Sequence, residues 1–354
     1  MSRDPLSGRI PVILITGYLG SGKTTLIRRL LRDPRMNRAA VIINEFGEVG
    51  IDHDLVQSSS ESTALLSNGC LCCTLRTDLQ ETMRSLFMDR RAGRVIDFER
   101  VFVETSGLAD PVPVLHTLRT DGLLGAQYRL DAVITVVDAV NGLARLDDAP
   151  EAPRQAAVAD RIIITKSDLV GEAELSALEE RLQAINPYAA RRVVINAEVD
   201  VDFVRDVSPG SLHASVAELD RWLGTPASDD APRGAYLGNR IAKPLHDPSV
   251  RAFALWFDRP FTWDAFSSSL RVLSELRGRD VLRVKGLVHV LGEAGPVLVQ
   301  GAQHLFHPPV TLKSWPSDDR RSRLVFVTRS LERQSIAALF ASVAGLAASA
   351  QDPA

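Results

Sequence analysis

The stretch that decides the fold is Val12-Ile-Leu-Ile-Thr16, which runs directly into Gly17-Tyr-Leu-Gly-Ser-Gly-Lys23-Thr24-Thr25 and then into an apolar helical pattern. A buried strand, a Gly-rich loop and a helix in this order are typical of a phosphate-binding loop. Backbone N–H groups of such a loop face a β-phosphate, and the helix N-terminus and a lysine add favourable charge. The residues predicted to bind phosphate, with the Thr24 hydroxyl on Mg²⁺, are Gly17, Gly20, Ser21, Gly22, Lys23, Thr24 and Thr25.

Short apolar runs alternate with longer helical patterns through the first two-thirds of the chain. This alternation predicts an α/β fold of the P-loop NTPase type, with a mostly parallel sheet and helices on both faces. The predicted strands are 10–15, 40–43, 100–103, 132–137, 161–165 and 192–195.

Residues 224–239 are rich in Gly, Pro, Ser, Asp and Ala and have no periodicity, which predicts a linker. We therefore divide the chain into a nucleotide-binding domain at 1–223, the linker, and a smaller α+β domain at 240–354. The strand-rich order of the second domain predicts an antiparallel sheet with helices on one face.

Composition excludes some classes of partner. The 41 basic and 44 acidic residues give a formal charge of −3, so no overall positive charge attracts nucleic acid or an anionic membrane. The sequence has neither an apolar run long enough to span a bilayer nor the order of a secretory signal. We expect a cytoplasmic protein that binds neither nucleic acid nor membrane.

A second phosphate-side element is Val101-Phe-Val-Glu104-Thr-Ser-Gly107. An apolar strand that ends in an acid can hold Mg²⁺, directly or through water, and the N–H of a following glycine can reach a γ-phosphate. We therefore predict that Glu104 is a magnesium ligand and that Gly107 binds the nucleotide.

The nucleotide base is predicted from Thr165-Lys166-Ser-Asp168, which ends another apolar strand. A carboxylate accepts hydrogen bonds from both N1–H and the amino group of guanine, a donor pair that adenine lacks. The stem of Lys166 could lie on the base, and Asn196, after the next strand, could support it. These residues favour GTP over ATP.

The three cysteines of the chain, Cys70, Cys72 and Cys73, fall within four residues. Such a cluster suits Zn²⁺, with Co²⁺ and Cu⁺ as alternatives, and three thiolates leave a fourth metal position open. Buried cysteines or a redox pair are competing interpretations. A fourth ligand could come from the acidic segment 44–52, which contains Glu45, Glu48 and Asp52.

With these five motifs in order, the sequence resembles the CobW-type P-loop GTPases, which act as metallochaperones. The resemblance implies that the cysteines form the metal site and that Glu45, Glu48 and Asp52 belong to a nucleotide-sensing loop. The C-terminal segments 283–286 and 322–327 also look like the second domain of that family. In this sequence Thr165 stands where Asn is frequent in the family, and the linker has no His-rich run.

These observations lead to a hypothesis: a GTPase that binds Zn²⁺ and passes it to a client metalloenzyme under GTP control. Lys23, Thr24 and Glu104 would hold phosphates and Mg²⁺, and Glu45, Glu48 or Asp52 would orient the attacking water. Because no glutamine or arginine finger is identifiable, turnover should be slow. A cobalt or iron insertase such as a nitrile hydratase activator, a metal-binding regulator and a metabolic kinase remain alternatives, and whether the chain forms a homodimer is left open.

Overall fold

A computed structural model describes residues 8–44, 56–58, 63–66, 71–74, 79–111, 114–115, 117, 121–205, 207–208, 216–223, 250–302, 305–306, 309–315 and 317–345. The described residues divide into two compact units. The first lies within Pro5–Arg181 and Ala189–Ser208, and the second within Leu182–Tyr188 and Pro209–Ala354. The predicted linker at 224–239 lies outside the described residues.

The first unit contains a sheet whose strand order is β3-β4-β5-β2-β6-β1-β7-β8-β9. The path from β5 to β9 is parallel throughout, and β3 and β4 add an antiparallel edge. The strands are β1 (Ile10–Thr16), β2 (Ala39–Asn44), β3 (Val56–Ser58), β4 (Thr63–Leu66), β5 (Leu71–Thr74), β6 (Arg100–Thr105), β7 (Tyr128–Asp138), β8 (Arg161–Thr165) and β9 (Ala190–Val193).

Parallel strands buried on both faces need helices on each side, which explains their nearly continuous apolar sequences. The helices of this unit are α1 (Lys23–Leu30), α2 (Leu79–Arg91), α3 (Gly122–Gln127), α4 (Gly142–Asp148) and α5 (Glu151–Ala157), together with α6 (Glu172–Ile185), whose residues from Leu182 onward are grouped with the second unit. Leu26, Ile27 and Leu30 of α1 pack on side chains of the central strands in one buried cluster. The predicted α/β fold is confirmed.

Two strand predictions differ from the structure. The strand predicted at 192–195 lies at Ala190–Val193, and β3, β4 and β5 were not predicted. These three strands have only three or four residues each, too few to establish a period of two against the background of turn residues.

The second unit is built on an antiparallel sheet of order β10-β15-β11-β12-β13, with β14 paired to β12. Its elements are α7 (Val216–Leu223), β10 (Val250–Phe257), α8 (Trp263–Arg277), β11 (Val281–Val288), β12 (Val297–Ala302), β13 (Leu305–Phe306), β14 (Val310–Thr311), β15 (Ser322–Arg329) and α9 (Arg333–Ala344).

Helices cover both faces of this second sheet. On one face, Phe266 of α8 and Phe340 of α9 pack with Phe326 of β15. On the other, Trp222 of α7 packs with the neighbouring Val325. The prediction of helices on one face is therefore wrong, because α7 precedes the predicted linker and its short pattern gave no sign that it would pack against the later strands.

Polar contacts fix α7 to the sheet. Lys285 Nζ donates to the carbonyl oxygen of Trp222 at 2.9 Å, and Arg323 pairs with Asp220 at 3.3 Å. These four residues are buried or nearly so, and each charge has a partner. Among the described helices, none combines the length and apolarity needed to cross a membrane.

We predict that Phe340→Ala destabilises the second unit by about 3–5 kcal/mol, the usual cost of truncating a buried aromatic ring. The Phe340 side chain is fully buried and its ring lies 5.4 Å from that of Phe257 and 6.1 Å from that of Phe266. Urea unfolding followed by tryptophan fluorescence measures this, because all four tryptophans lie in residues 209–354.

The matched control is Leu276→Ala, whose side chain is 70% exposed on α8 and should change stability by less than about 0.5 kcal/mol. Equal losses of stability in the two variants would contradict the assigned core.

Candidate nucleotide-binding site

The phosphate-binding loop connects β1 to α1 and needs its glycines for different reasons. A Cβ on Gly17 would lie 2.1 Å from the carbonyl oxygen of Val136 in β7, so no larger residue fits. Gly22 has φ +94° at the N-terminus of α1, a conformation that L-residues rarely adopt. The loop therefore requires glycine at position 17 for steric reasons and favours it at position 22 for conformational reasons.

Lys23 is folded onto this loop. Its Nζ donates to the carbonyl oxygen of Gly17 at 2.9 Å and to that of Tyr18 at 3.2 Å. The residue is 6% exposed, so its positive charge is held at the loop and is little screened by water. This is the positive charge that the sequence predicts will bind phosphate.

Thr24 and Glu104 meet although they are eighty positions apart. The Thr24 hydroxyl donates to Glu104 Oε1 at 2.8 Å, and Glu104 is 3% exposed. The contact exists because β1 and β6 are parallel neighbours with Ile15 opposite Glu104, so both strands end at the same edge of the sheet. A hydroxyl and a carboxylate together are the oxygen ligands that Mg²⁺ prefers.

The segment after Glu104 is also held against the phosphate-binding loop. Thr105 Oγ1 donates to Thr16 Oγ1 at 2.9 Å. A Cβ on Gly107 would lie 2.6 Å from the backbone nitrogen of Leu19, so only glycine permits this approach. The structure therefore brings Gly107 to the loop. Its binding to the nucleotide stays a prediction.

Thr165, at the end of β8, forms a link to the loop that does not need asparagine. Its hydroxyl donates to the carbonyl oxygen of Ser21 at 2.8 Å, and the side chain is buried. Strand β8 lies two strands from β1, with β7 between them, so this hydrogen bond ties the loop to a strand that is not a direct neighbour of β1. A threonine thus anchors the loop at this position.

Asp138 was not identified from the sequence. It ends β7, and its carboxylate accepts from Lys166 Nζ at 2.7 Å, Asn141 Nδ2 at 3.1 Å and the Val140 N–H at 2.8 Å. Burial alone would raise the pKa of Asp138, but these hydrogen bonds outweigh it and hold the pKa below its usual value. The group is therefore ionised at neutral pH and fixes the Lys166 ammonium.

A signal for Asp138 is present in the sequence. An acid at the end of an apolar strand is the pattern that led to Glu104, and the strand predicted at 132–137 stops one residue before Asp138. In the structure the strand begins four residues earlier and ends one residue later than predicted, and the Asp138 carboxylate at its end holds Lys166.

The loops that follow β8 and β9 lie side by side. Ser167 Oγ donates to the carbonyl oxygen of Val194 at 3.2 Å. Asn196 and Ala197 both have positive φ, 53° and 57°, and such backbone strain in non-glycine residues is common at functional sites. Asp168 and Asn196 are exposed in these loops and remain available to a base.

Gln155 of α5 is a second residue that sequence reasoning missed. Its Nε2 donates to the carbonyl oxygens of Gly107 and Ala109, each at 3.1 Å. The sequence around it carries no motif, because a glutamine in a short Ala-rich helix could equally well face solvent.

Most of the predicted metal ligands lie outside the described residues. Cys70, Glu45, Glu48 and Asp52 lie outside the described residues. The backbone of Cys72 and Cys73 is described and lies in β5, where Cys72 is opposite Val41 and Cys73 opposite Ile42 of β2.

Comparison with known proteins adds a family to this geometry. A model of the CobW/HypB/UreG nucleotide-binding domain matches residues 11–192, and a model of the cobalamin synthesis protein cobW C-terminal domain matches residues 250–344. The chain belongs to the CobW family. The resemblance inferred from its motifs is confirmed.

Relatives match this CobW-family chain along nearly its whole length. It is 31% identical over 334 residues to the zinc chaperone YjiA of Escherichia coli, covering 94% of this chain and 98% of the relative. It is 33% identical over 370 residues to the zinc chaperone CobW of Pseudomonas aeruginosa, with 93% and 90% covered. The crystal structure of Zn(II)-bound YjiA GTPase from E. coli matches with a TM-score of 0.72 at 29% identity, covering 95% and 99%.

We predict that Thr165→Val weakens nucleotide binding by about fivefold, because it removes the hydrogen bond to Ser21 while keeping the side-chain shape. The dissociation constant of a fluorescent guanine nucleotide measures this effect.

The matched control is Thr328→Val in β15, which removes a buried hydroxyl that donates to the Leu331 carbonyl oxygen at 2.7 Å in the second unit. This control should lower thermal stability and leave nucleotide affinity unchanged. Unaltered affinity in the Thr165→Val variant would show that the link does not support the loop.

Proposed function

We propose that this chain is a GTP-hydrolysing metallochaperone that binds Zn²⁺ through Cys70, Cys72 and Cys73 and transfers it to a client metalloprotein under the control of bound GTP. The observation that carries the proposal is the position of β2 in the sheet. This strand pairs with β6 on one side, where Ile43 lies opposite Glu104, and with β5 on the other, where Ile42 lies opposite Cys73.

The pairing of β2 supports coupling between nucleotide and metal. Neighbouring strands lie about 4.8 Å apart, so the backbone of Cys73 is about 10 Å from that of Glu104. The acidic segment with Glu45, Glu48 and Asp52 begins where β2 ends, at Asn44. Any change in that segment on γ-phosphate binding therefore acts on a strand hydrogen-bonded to both sites.

The nucleotide half of the function rests on the described site. Backbone N–H groups of residues 17–22 and the Lys23 ammonium would bind the phosphates, and Gly107 would sense the γ-phosphate. Thr24 and Glu104 fit Mg²⁺, since their oxygen atoms are already adjacent. Bound there, Mg²⁺ would offset the negative charge of the phosphates.

Guanine is the base that the loops favour. Asp168 is exposed at the turn after β8 and can accept both hydrogen bonds from the guanine N1–H and amino groups. Asp138 holds the ammonium of Lys166, which fixes the lysine stem beside that turn. Asn196 would support the base from the neighbouring loop.

The metal half rests on thiolate chemistry and on the relatives. Three thiolates suit Zn²⁺ and leave one position at which a ligand from the client can attack, so transfer proceeds by ligand exchange. Co²⁺ would fit the same donors, but the relatives YjiA and CobW are named zinc chaperones, which favours zinc. We expect the protein to act in the cytoplasm, where thiols stay reduced.

We predict that a non-hydrolysable GTP analogue with Mg²⁺ tightens Zn²⁺ binding at least about tenfold, because the proposed coupling falls in the usual range for linked sites. Competition of the reduced protein with a zinc-chelating dye, with and without the analogue, measures the change. Reciprocity requires that Zn²⁺ tighten the analogue by the same factor.

Two variants distinguish the zinc site from the nucleotide site in this experiment. Cys72→Ser should lose the tight zinc site and keep GDP binding, whereas Lys23→Ala should lose nucleotide binding and keep zinc affinity at the level measured without nucleotide. Zinc affinity that is high but insensitive to the analogue would instead identify a metal-binding regulator.

We further predict that Asp168→Asn lowers affinity for GTP on the order of 100-fold, since two hydrogen bonds to a carboxylate are lost, and raises affinity for xanthosine triphosphate. The amide nitrogen of the new side chain can donate to the C2 carbonyl of xanthine, where guanine has a donor. Nucleotide competition assays measure both values.

Asp264→Asn is the control, because this aspartate is exposed on α8 in the second unit and should leave both affinities unchanged. Retention of full GTP affinity by the Asp168→Asn variant would contradict the assigned base contact.

A further inference from the structure

Gln155 is placed on a rigid part of the first unit. It is 1% exposed, and its main-chain carbonyl oxygen accepts from Thr135 Oγ1 of β7 at 2.6 Å. In the short segment between α5 and β8, the Asp160 carboxylate accepts from the Val133 N–H of the same strand at 2.8 Å. One buried hydrogen bond from α5 and a second from the segment directly after it therefore hold this helix against β7.

The Gln155 side chain extends from this fixed helix to the segment that follows Glu104. Its Nε2 lies 3.1 Å from the carbonyl oxygens of both Gly107 and Ala109. Carbonyl oxygens only accept hydrogen bonds, so the NH₂ end of the amide must face them. Both of its protons are thus used to hold one short loop.

The beginning of that loop is held by two further contacts. Thr105 bonds Thr16, and Gly107 lies against the backbone of Leu19. The Gly107 residue is buried, so loss of the Gln155 donor would leave a buried carbonyl oxygen without that hydrogen bond and favour a different backbone position.

We infer that Gln155 is a positioning residue for GTP hydrolysis: it holds the backbone of Gly107 where its N–H can meet the γ-phosphate. Gln155 acts through the loop and does not itself touch the nucleotide. The inference rests on the proposed function in one respect, the role of Gly107 at the γ-phosphate. It requires that the side chain affect the affinity for GTP and the rate of hydrolysis. It should not affect the affinity for GDP, which has no γ-phosphate.

The test compares nucleotide affinities of the full chain, without zinc, in the wild type and in Gln155→Met, which keeps the length of the side chain and removes both donors. We expect affinity for a β,γ-imido GTP analogue and kcat for GTP to fall about tenfold each, since small displacements of positioned groups have effects of this size. Affinity for GDP should stay within about twofold.

Two further variants address a purely structural role. Thr135→Val removes the hydrogen bond to the Gln155 backbone but leaves its side chain intact, so thermal stability should fall while the ratio of analogue to GDP affinity stays unchanged. Gln155→Asn keeps an amide but withdraws it by one methylene, and should shift the ratio in the same direction as Gln155→Met. If Gln155→Met does not fold, the affinity ratio of the Gln155→Asn variant tests the inference instead.

The outcomes are distinct. Equal losses of GDP and analogue affinity, or an unchanged ratio in both Gln155 variants, would overturn the inference while leaving the proposed function in place. A wild-type protein that does not hydrolyse GTP and binds neither GDP nor the analogue would overturn both the inference and the proposed function. Changes in Thr135→Val that match those in Gln155→Met would assign Gln155 a structural role only.

Discussion

The site depends on the parallel pairing of β1 with β6 on one side and β7 on the other. Because the three strands run in the same direction and in fixed register, the phosphate-binding loop, Glu104 and Asp138 emerge together at one edge of the sheet. Side chains alternate along a strand, so a shift of β6 by one residue would turn Glu104 away from Thr24. The apolar residues of β1, all but fully buried, make such a shift costly.

Around this edge, buried polar side chains hold the loops in position through hydrogen bonds. Thr165 donates a hydrogen bond to Ser21 in the loop, and Gln155 donates one to Gly107 in the segment after Glu104. Asp138 accepts one from Lys166. Each is nearly or fully buried, where an unsatisfied polar group would be costly, so the correct loop positions are strongly preferred over displaced ones. A nucleotide bound at the proposed site would therefore contact groups that are already in place, which would lower the cost of ordering them on binding.

Local motifs made most of the nucleotide site predictable. The residues from Gly17 to Thr25, Glu104 with Gly107, and Thr165 with Asp168 are each contiguous or nearly so, and their predicted roles in the candidate site rest on residue type and spacing. Asp138 and Gln155 were missed because their roles depend on partners in other elements, 28 and 48 positions away. The helix Val216–Leu223 was placed before the linker by sequence order, whereas it packs on the second sheet through Trp222.

By itself the sequence determined the fold class, the phosphate-binding loop, the preference for guanine and the membership of the CobW family, since these follow from patterns within short stretches of chain. Only the tertiary structure decided which side chains hold those stretches together: threonine in place of asparagine at position 165, the carboxylate that fixes Lys166, and the amide that holds Gly107. The physical reason is that a hydrogen bond between distant elements depends on strand order and register, and many sequences with the same local patterns could form different long-range contacts.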